Sequence, residues 1–218
     1  MLLAYLAVNR GRRVDRDEIA EALWPQVVPP AAPSALRVLV SKLRAVLGQG
    51  ALVGRSELTL LLSPGVRVDV EDALEAVHRA ESAVALKAWA RAWGPALLAS
   101  FVAERRFLPD CEAPWVEQWR QQLTDVLERA LECYAASCVH LGGTELAAAE
   151  RAARRLVEHA PFRESGYRLL MEALEAHGNV AEALLVYERL RIVLRDELGT
   201  APCPAVQEVH RRLLAART

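Results

Sequence analysis

Hydrophobic positions in the first third of the chain fall first at helical and then at strand-like spacing. Laid out at about 100° per residue, Leu36, Leu39, Val40, Leu43, Val46 and Leu47 gather on one side of a helix that starts at Pro33 or Ser34. Arg37, Val38, Ser41, Lys42, Arg44 and Ala45 spread over the other side. One face is expected to bury itself and the other to stay open to a partner. Ahead of this helix, Asp15 and Glu18 have the spacing of a capping box that opens a helix over 16–23, and Trp24-Pro25 closes it. The proline-rich stretch 26–32 turns the chain between the two helices. Gly48-Gln49-Gly50 stops the second one, and 51–53 and 58–62 predict short strands around Gly54-Arg55-Ser56-Glu57. The pattern is helix, turn, helix and a two-stranded wing.

Beyond the wing, Ser63-Pro64-Gly65 makes a turn and 66–70 a last extended piece, after which Asp69 caps a helix over 71–80. A further helix is expected over 84–93, stopped by Gly94-Pro95. The periodicity weakens from 99 to 114, where Pro109 and Pro114 act as breakers. Trp115, Trp119, Leu123, Leu127, Leu131 and Tyr134 then form one stripe of a long helix ending near Gly142-Gly143. Four more helices follow near 145–159, 163–177, 180–198 and 205–216. A shift of about thirty-four residues, the tetratricopeptide period, lays Ala149 on Ala183, Ala153 on Tyr187 and Leu156 on Leu190. Small residues at such positions let paired helices approach, and large ones fill the groove between them.

Composition supports a mainly α fold. The chain has 218 residues, 53% hydrophobic and only 6% aromatic, so it holds one large domain or two modest ones with ample core. The formal charge of −1 conceals an asymmetry. Up to Val68 there are nine basic residues and five acidic ones, a net +4, which leaves −5 for the remainder. A basic head on an acidic body suits a head that meets a polyanion and a body that meets other proteins. Within the head, Arg37 and Arg44 stand seven residues apart on nearly one line with Ser41 between them, which suits a helix lying in a groove between phosphate walls. Val38 is placed to meet a thymine methyl. Taken alone, such a stripe is most simply a solvated face, and the helix-turn-helix and wing around it tip the balance.

These segments resemble a known family. Leu2-Leu3-Ala4-Tyr5-Leu6-Ala7, the run from Gly11 to Glu18, Ala22-Leu23-Trp24-Pro25 and above all Ala35-Leu36-Arg37-Val38-Leu39-Val40-Ser41-Lys42-Leu43-Arg44 are similar to the winged-helix reader of bacterial regulators of the antibiotic regulatory protein (SARP) type. The resemblance implies that Arg37, Ser41, Lys42 and Arg44 face DNA. The family's small β-sheet ahead of the first helix is absent from this reading, because the chain begins inside that helix. Further on, Trp115-Val116-Glu117, Ala152-Ala153-Arg154-Arg155-Leu156-Val157, Tyr167-Arg168-Leu169-Leu170-Met171, Ala181-Glu182-Ala183-Leu184 and Tyr187-Glu188-Arg189-Leu190 resemble the bacterial transcriptional activator domain, which directly follows the winged helix in that family. The expected architecture is a winged helix-turn-helix over 1–68 and a tetratricopeptide-like helical domain over 69–218.

Enzymatic chemistry finds no support. There is no Gly-rich phosphate loop, GxSxG or HExxH, and His78, His140, His159, His177 and His210 stand singly. Cys111, Cys133, Cys138 and Cys203 form no CxxC pair, so neither a metal site nor a disulfide framework is expected, and no cofactor. The apolar start 1–8 is short and lacks a basic leader, and no run is long enough to span a bilayer, which points to a cytoplasmic protein. Arg151, Arg154 and Arg155 are most simply a solvated face beside Glu150 and Glu158, and the tryptophans core packing rather than a ligand pocket.

Two readings remain. In the first, a sequence-specific regulator, an activator, sets the helix from Arg37 to Arg44 in the major groove of double-stranded DNA while the Arg55 wing touches backbone. The helical domain then joins subunits as a homodimer or meets RNA polymerase. The resemblance implies dimers, whose half-sites would lie about 10 base pairs apart. In the second, the reader is incomplete and the chain is a helical-repeat interaction module.

Overall fold

Alternating apolar positions and turn residues fold the amino-terminal stretch into a small helical unit closed by a short sheet. A computed structural model describes residues 1–48 and 50–215. Helix α1 (Leu2–Val8) leads into β1 (Val14–Asp15), α2 (Arg16–Leu23), α3 (Ala32–Leu47), β2 (Leu52–Val53) and β3 (Glu57–Leu60). The Asp15 carboxylate accepts from the Asp17 N–H at 2.8 Å and caps α2, which satisfies one of its orphan donors. The strands form an antiparallel sheet in the order β1-β3-β2, with Val14 opposite Leu58 and Leu52 opposite Leu60.

The sheet is three-stranded, where the periodicity predicted a two-stranded wing. Val14–Asp15 is too short to show alternation, and only its pairing with β3 makes it a strand. The end of α3 is capped by Gly48 at φ +89°, a conformation that favours glycine. Gln49, predicted in that turn, lies outside the described residues, as does the predicted end of the last helix at Ala216. The expected extended piece at 66–70 is not a strand, since α4 begins at Asp69.

Two compact units result: one combines Met1–Asp72 with Arg105–Leu123, the other Ala73–Glu104 with Thr124 onward. In the first unit, Leu6, Val14, Ile19, Leu36, Val40, Leu52 and Leu58 form the core, joined by Tyr5 and the partly buried Trp115. The ring of Trp115 meets Tyr5 edge-on with centroids 5.0 Å apart, a favoured aromatic geometry. The irregular stretch before Trp115 is held by Arg120, which donates to the carbonyls of Phe107, Leu108 and Cys111 at 2.7–3.0 Å.

The second unit is helical and alanine-rich. Its helices are α4 (Asp69–Ala85, which enters it from Ala73), α5 (Trp89–Ala103), α6 (Pro114–Leu141, from Thr124), α7 (Leu146–His159), α8 (Glu164–Ala176), α9 (Val180–Leu198) and α10 (Pro204–Ala215). The predicted stop at Gly94-Pro95 does not occur, because α5 continues through Pro95. Ala92, Ala96 and Ala99 are fully buried along one face, and their burial offsets the backbone bond that proline cannot make. The break falls instead at Lys87, which adopts a left-handed φ of 55°. Helix α7 packs on α8, α8 on α9, and α10 on both α8 and α9. Ala149, Ala153 and Leu156, with their thirty-four-residue counterparts Ala183, Tyr187 and Leu190, are all buried, as a repeated helical hairpin requires.

Candidate nucleic-acid interface

Helix α3 buries Ala32, Leu36 and Val40 and half-buries Leu43 and Leu47, which leaves its opposite face open. That open face carries Arg37, Val38, Ser41, Lys42 and Ala45. The helical projection also put Leu39 and Val46 in the core, and the structure corrects this. Leu39 is 38% exposed and Val46 82% exposed, because the core packs against a narrower stripe than the apolar positions span. Leu39 therefore stands on the flank of the open face rather than beneath it.

Arg44 also departs from its predicted place. Two turns along from Arg37, it is half-buried on the flank facing the wing. Its Nε donates to the Leu52 carbonyl at 3.0 Å and its Nη2 to the Gly54 carbonyl at 2.6 Å. From the other side, Arg16 at the start of α2 donates through Nε to the Arg55 carbonyl. The wing turn is thus tied by its backbone to both helices, and the exposed Arg55 side chain projects from it. Gly54 sits at φ +100°, and a Cβ there would stand 1.9 Å from the Glu57 carbonyl oxygen, so the tight turn admits only glycine.

The electrostatics of the first 68 residues sort their nine basic groups. Arg10 pairs with Glu71, Arg12 with Glu18, Arg13 with Glu57 at 3.7 Å and Arg67 with Asp72 at 2.8 Å. Arg16 and Arg44 are occupied by wing carbonyls. Among the described residues, Arg37, Lys42 and the Arg55 guanidinium make no hydrogen bond or ion pair. The uncommitted cations therefore lie on the outer face of α3 and on the wing beside it. Charge that is not neutralised internally is what a polyanion can use.

In the same unit a side-chain triad links the buried Tyr5 of α1 to the partly exposed Glu18 of α2 and the exposed Arg12. Tyr5 donates its hydroxyl to Glu18 at 2.6 Å, and Arg12 donates to the same carboxylate. The Arg12 hydrogen bonds first, then that of Tyr5, hold the Glu18 carboxyl down at about 2, against some opposing desolvation. Burial first, and the Glu18 hydrogen bond second, push the Tyr5 hydroxyl up to about 12.

In the helical unit, the arginines read as a solvated face make ion pairs: Arg154 bridges Glu150 and Glu182, and Arg155 meets Glu104. Trp93 donates its indole N–H to Glu145 at 2.9 Å, and Trp89 stacks on His140 with ring centroids 3.8 Å apart. Burial pushes the Cys133 thiol up to about 12 and the Cys138 thiol to about 11, so neither is a nucleophile near neutral pH. Among the described residues no cluster of His, Cys, Asp and Glu is arranged to hold a metal ion, and no helix is long and apolar enough to cross a membrane.

Two family models match the chain. Residues 68–214 match the model of the bacterial transcriptional activator domain, and residues 1–55 match that of the transcriptional regulatory protein, C terminal, domain. The regulatory protein AfsR of Streptomyces coelicolor is 34% identical over 99% of this chain and 22% of its own length. AfsR of Streptomyces griseus is 32% identical over the same shares, 99% and 22%. The transcriptional regulatory protein EmbR of Mycobacterium tuberculosis is 28% identical over 98% of this chain and 56% of its own length. The chain thus spans about a fifth of the AfsR proteins and just over half of EmbR. The solved structure of Mycobacterium tuberculosis EmbR in complex with a low-affinity phosphopeptide has the same fold, with a TM-score of 0.82 at 24% identity over 99% of this chain and 58% of that one. With the winged helix ahead of it and the helical repeats behind, this chain belongs to the bacterial transcriptional activator domain family, in its SARP-type arrangement.

Proposed function

We propose that this chain is a sequence-specific, duplex-DNA-binding transcriptional regulator, an activator, that acts in the cytoplasm and catalyses no reaction. Residues 1–68 serve as the reader and 69–218 as the domain that joins subunits or meets RNA polymerase. One observation carries the reading: the basic residues left without an internal partner among the described residues of the reader, Arg37, Lys42 and Arg55, all sit on α3 and the adjoining wing. In this reading α3 enters the major groove. Arg37 and Ser41 approach base edges, Val38 meets a thymine methyl, and Lys42 and Arg55 neutralise phosphates. Arg44 takes part through the wing that it holds.

Fluorescence anisotropy with promoter duplexes over a salt series tests it. Affinity is expected to fall steeply with salt, with a log–log slope of about 0.9 per phosphate neutralised. Arg37→Ala should relax base preference, and Arg55→Ala should weaken all sequences alike. Equal, weak binding to any duplex, unchanged by Arg37→Ala, would show instead a helical interaction module without a working reader.

A further inference from the structure

We propose that Arg16 and Arg44 are positioning residues: they lock the wing against α2 and α3 so that Arg55 is presented in fixed register with the outer face of α3. The inference rests on the DNA-binding reading for its consequence and on the wing geometry for its cause.

The turn of the wing has little to hold it by itself. Strand β2 is two residues long, and its ladder with β3 consists of Leu52 opposite Leu60 and Val53 opposite Thr59, extended by the Leu61 N–H donating to the Ala51 carbonyl at 2.7 Å. Pairing of β3 with β1 and burial of Leu52 and Leu58 hold the strands, and that ladder does not reach the turn beyond Val53. Beyond Val53 the chain turns through Gly54, Arg55 and Ser56, all exposed. Arg44 spans this region with two donors, to Leu52 at the strand and to Gly54 at the turn. Arg16 reaches the carbonyl of Arg55 itself. Three carbonyls, those of Leu52, Gly54 and Arg55, are therefore satisfied by guanidinium groups that belong to α2 and α3. Hydrogen bonds from a charged donor are the stronger kind, and the rigid planar fork of arginine holds two separated acceptors in fixed geometry, which the compact ammonium of lysine does not. Because Arg44 stands on the same helix as Arg37 and Lys42, the position of the wing is referenced directly to the proposed reading surface.

A double-mutant cycle on the whole chain tests this, with Arg44→Lys, Arg44→Gln, Arg16→Ala and Arg55→Ala measured singly and Arg44→Gln combined with Arg55→Ala. The probe is the promoter duplex of highest affinity, with amide hydrogen exchange as a second readout. Arg55→Ala is expected to weaken binding about tenfold, the loss of one charged hydrogen bond. Arg44→Gln should weaken it similarly, and adding Arg44→Gln to Arg55→Ala should change affinity less than twofold. Exchange over Leu52–Leu58 should speed up in Arg44→Gln, Arg44→Lys and Arg16→Ala, while that of α1 is unchanged. Additive losses would mean that Arg44 contacts DNA itself, and unaltered wing exchange would mean that the wing is held without it; either result overturns the proposal. If the parent chain binds no duplex, the functional reading fails separately, and the exchange data still decide the clamp.

Discussion

The indole N–H of Trp115 donates to the backbone carbonyl of Ala22 at 3.0 Å, across 93 positions of sequence. It satisfies a carbonyl near the end of α2, where the helix itself supplies no partner. Trp115→Phe keeps most of the packing and removes the donor. A loss of about 1–3 kcal/mol is expected from the acceptor left unpaired. Urea unfolding followed by near-ultraviolet circular dichroism measures it, and a variant as stable as the parent would show that the bond contributes nothing.

Gly54 provides a sharper test of the wing. A Cβ at this position would stand 1.9 Å from the Glu57 carbonyl oxygen at a backbone φ of +100°, so Gly54→Ala forces the turn to open. The strain should cost of the order of 1–3 kcal/mol locally. Its expected signature is faster amide exchange over Leu52–Leu58 and weaker duplex binding, with the melting of the helical unit unaltered.

Acid should weaken the amino-terminal unit through Glu18. Its carboxyl is lowered from an ordinary 4.5 to about 2, so the folded state favours the charged form. The resulting stability is present above pH 4.5 and is lost as pH falls toward 2. Tyr5 works in the opposite direction: its hydroxyl is raised from 10.0 to about 12, and the associated stability is lost as pH rises through that window. Glu18→Gln is expected to flatten the acid limb of the stability profile. Urea midpoints between pH 2 and 6 check this, and an unchanged acid limb would place the acid sensitivity elsewhere.

Lys42 is exposed on α3 and makes no internal ion pair among the described residues. If it neutralises a phosphate, Lys42→Ala lowers the salt slope of duplex binding by about 0.9 and leaves base preference unchanged. A slope equal to that of the parent would remove Lys42 from the interface.

In the helical unit Leu156 is fully buried at the centre of the repeated pair, with Gly166 so close that a Cβ there would stand 3.1 Å from the Leu156 Cγ. Leu156→Ala leaves a cavity on one side of this contact and should cost about 2–5 kcal/mol. Thermal unfolding of the variant measures the loss, and a shift within error would show that α7 and α8 close over the gap.

Much of this molecule is written in local pattern. The helices α7 to α9 end, and α10 starts, within a residue or two of where glycine, proline and apolar spacing place them, because each is long, amphipathic and bounded by residues that do not continue it. The thirty-four-residue period, the basic outer face of α3 and the family itself are equally visible in the residues, since they depend on spacing along one element. What the sequence could not settle was decided by contacts between elements distant along the chain. Val14 becomes a strand only by meeting Leu58, and α5 runs through Pro95 only because buried alanines hold it. Residues 105–123 join the amino-terminal unit through partners such as Ala22. Arg37 and Arg44 share a line on a helical projection, yet the wing carbonyls engage one and leave the other to solvent. A projection knows the angle of a side chain around its own axis, and only the folded neighbours determine whether that angle faces a hydrogen-bond acceptor or water.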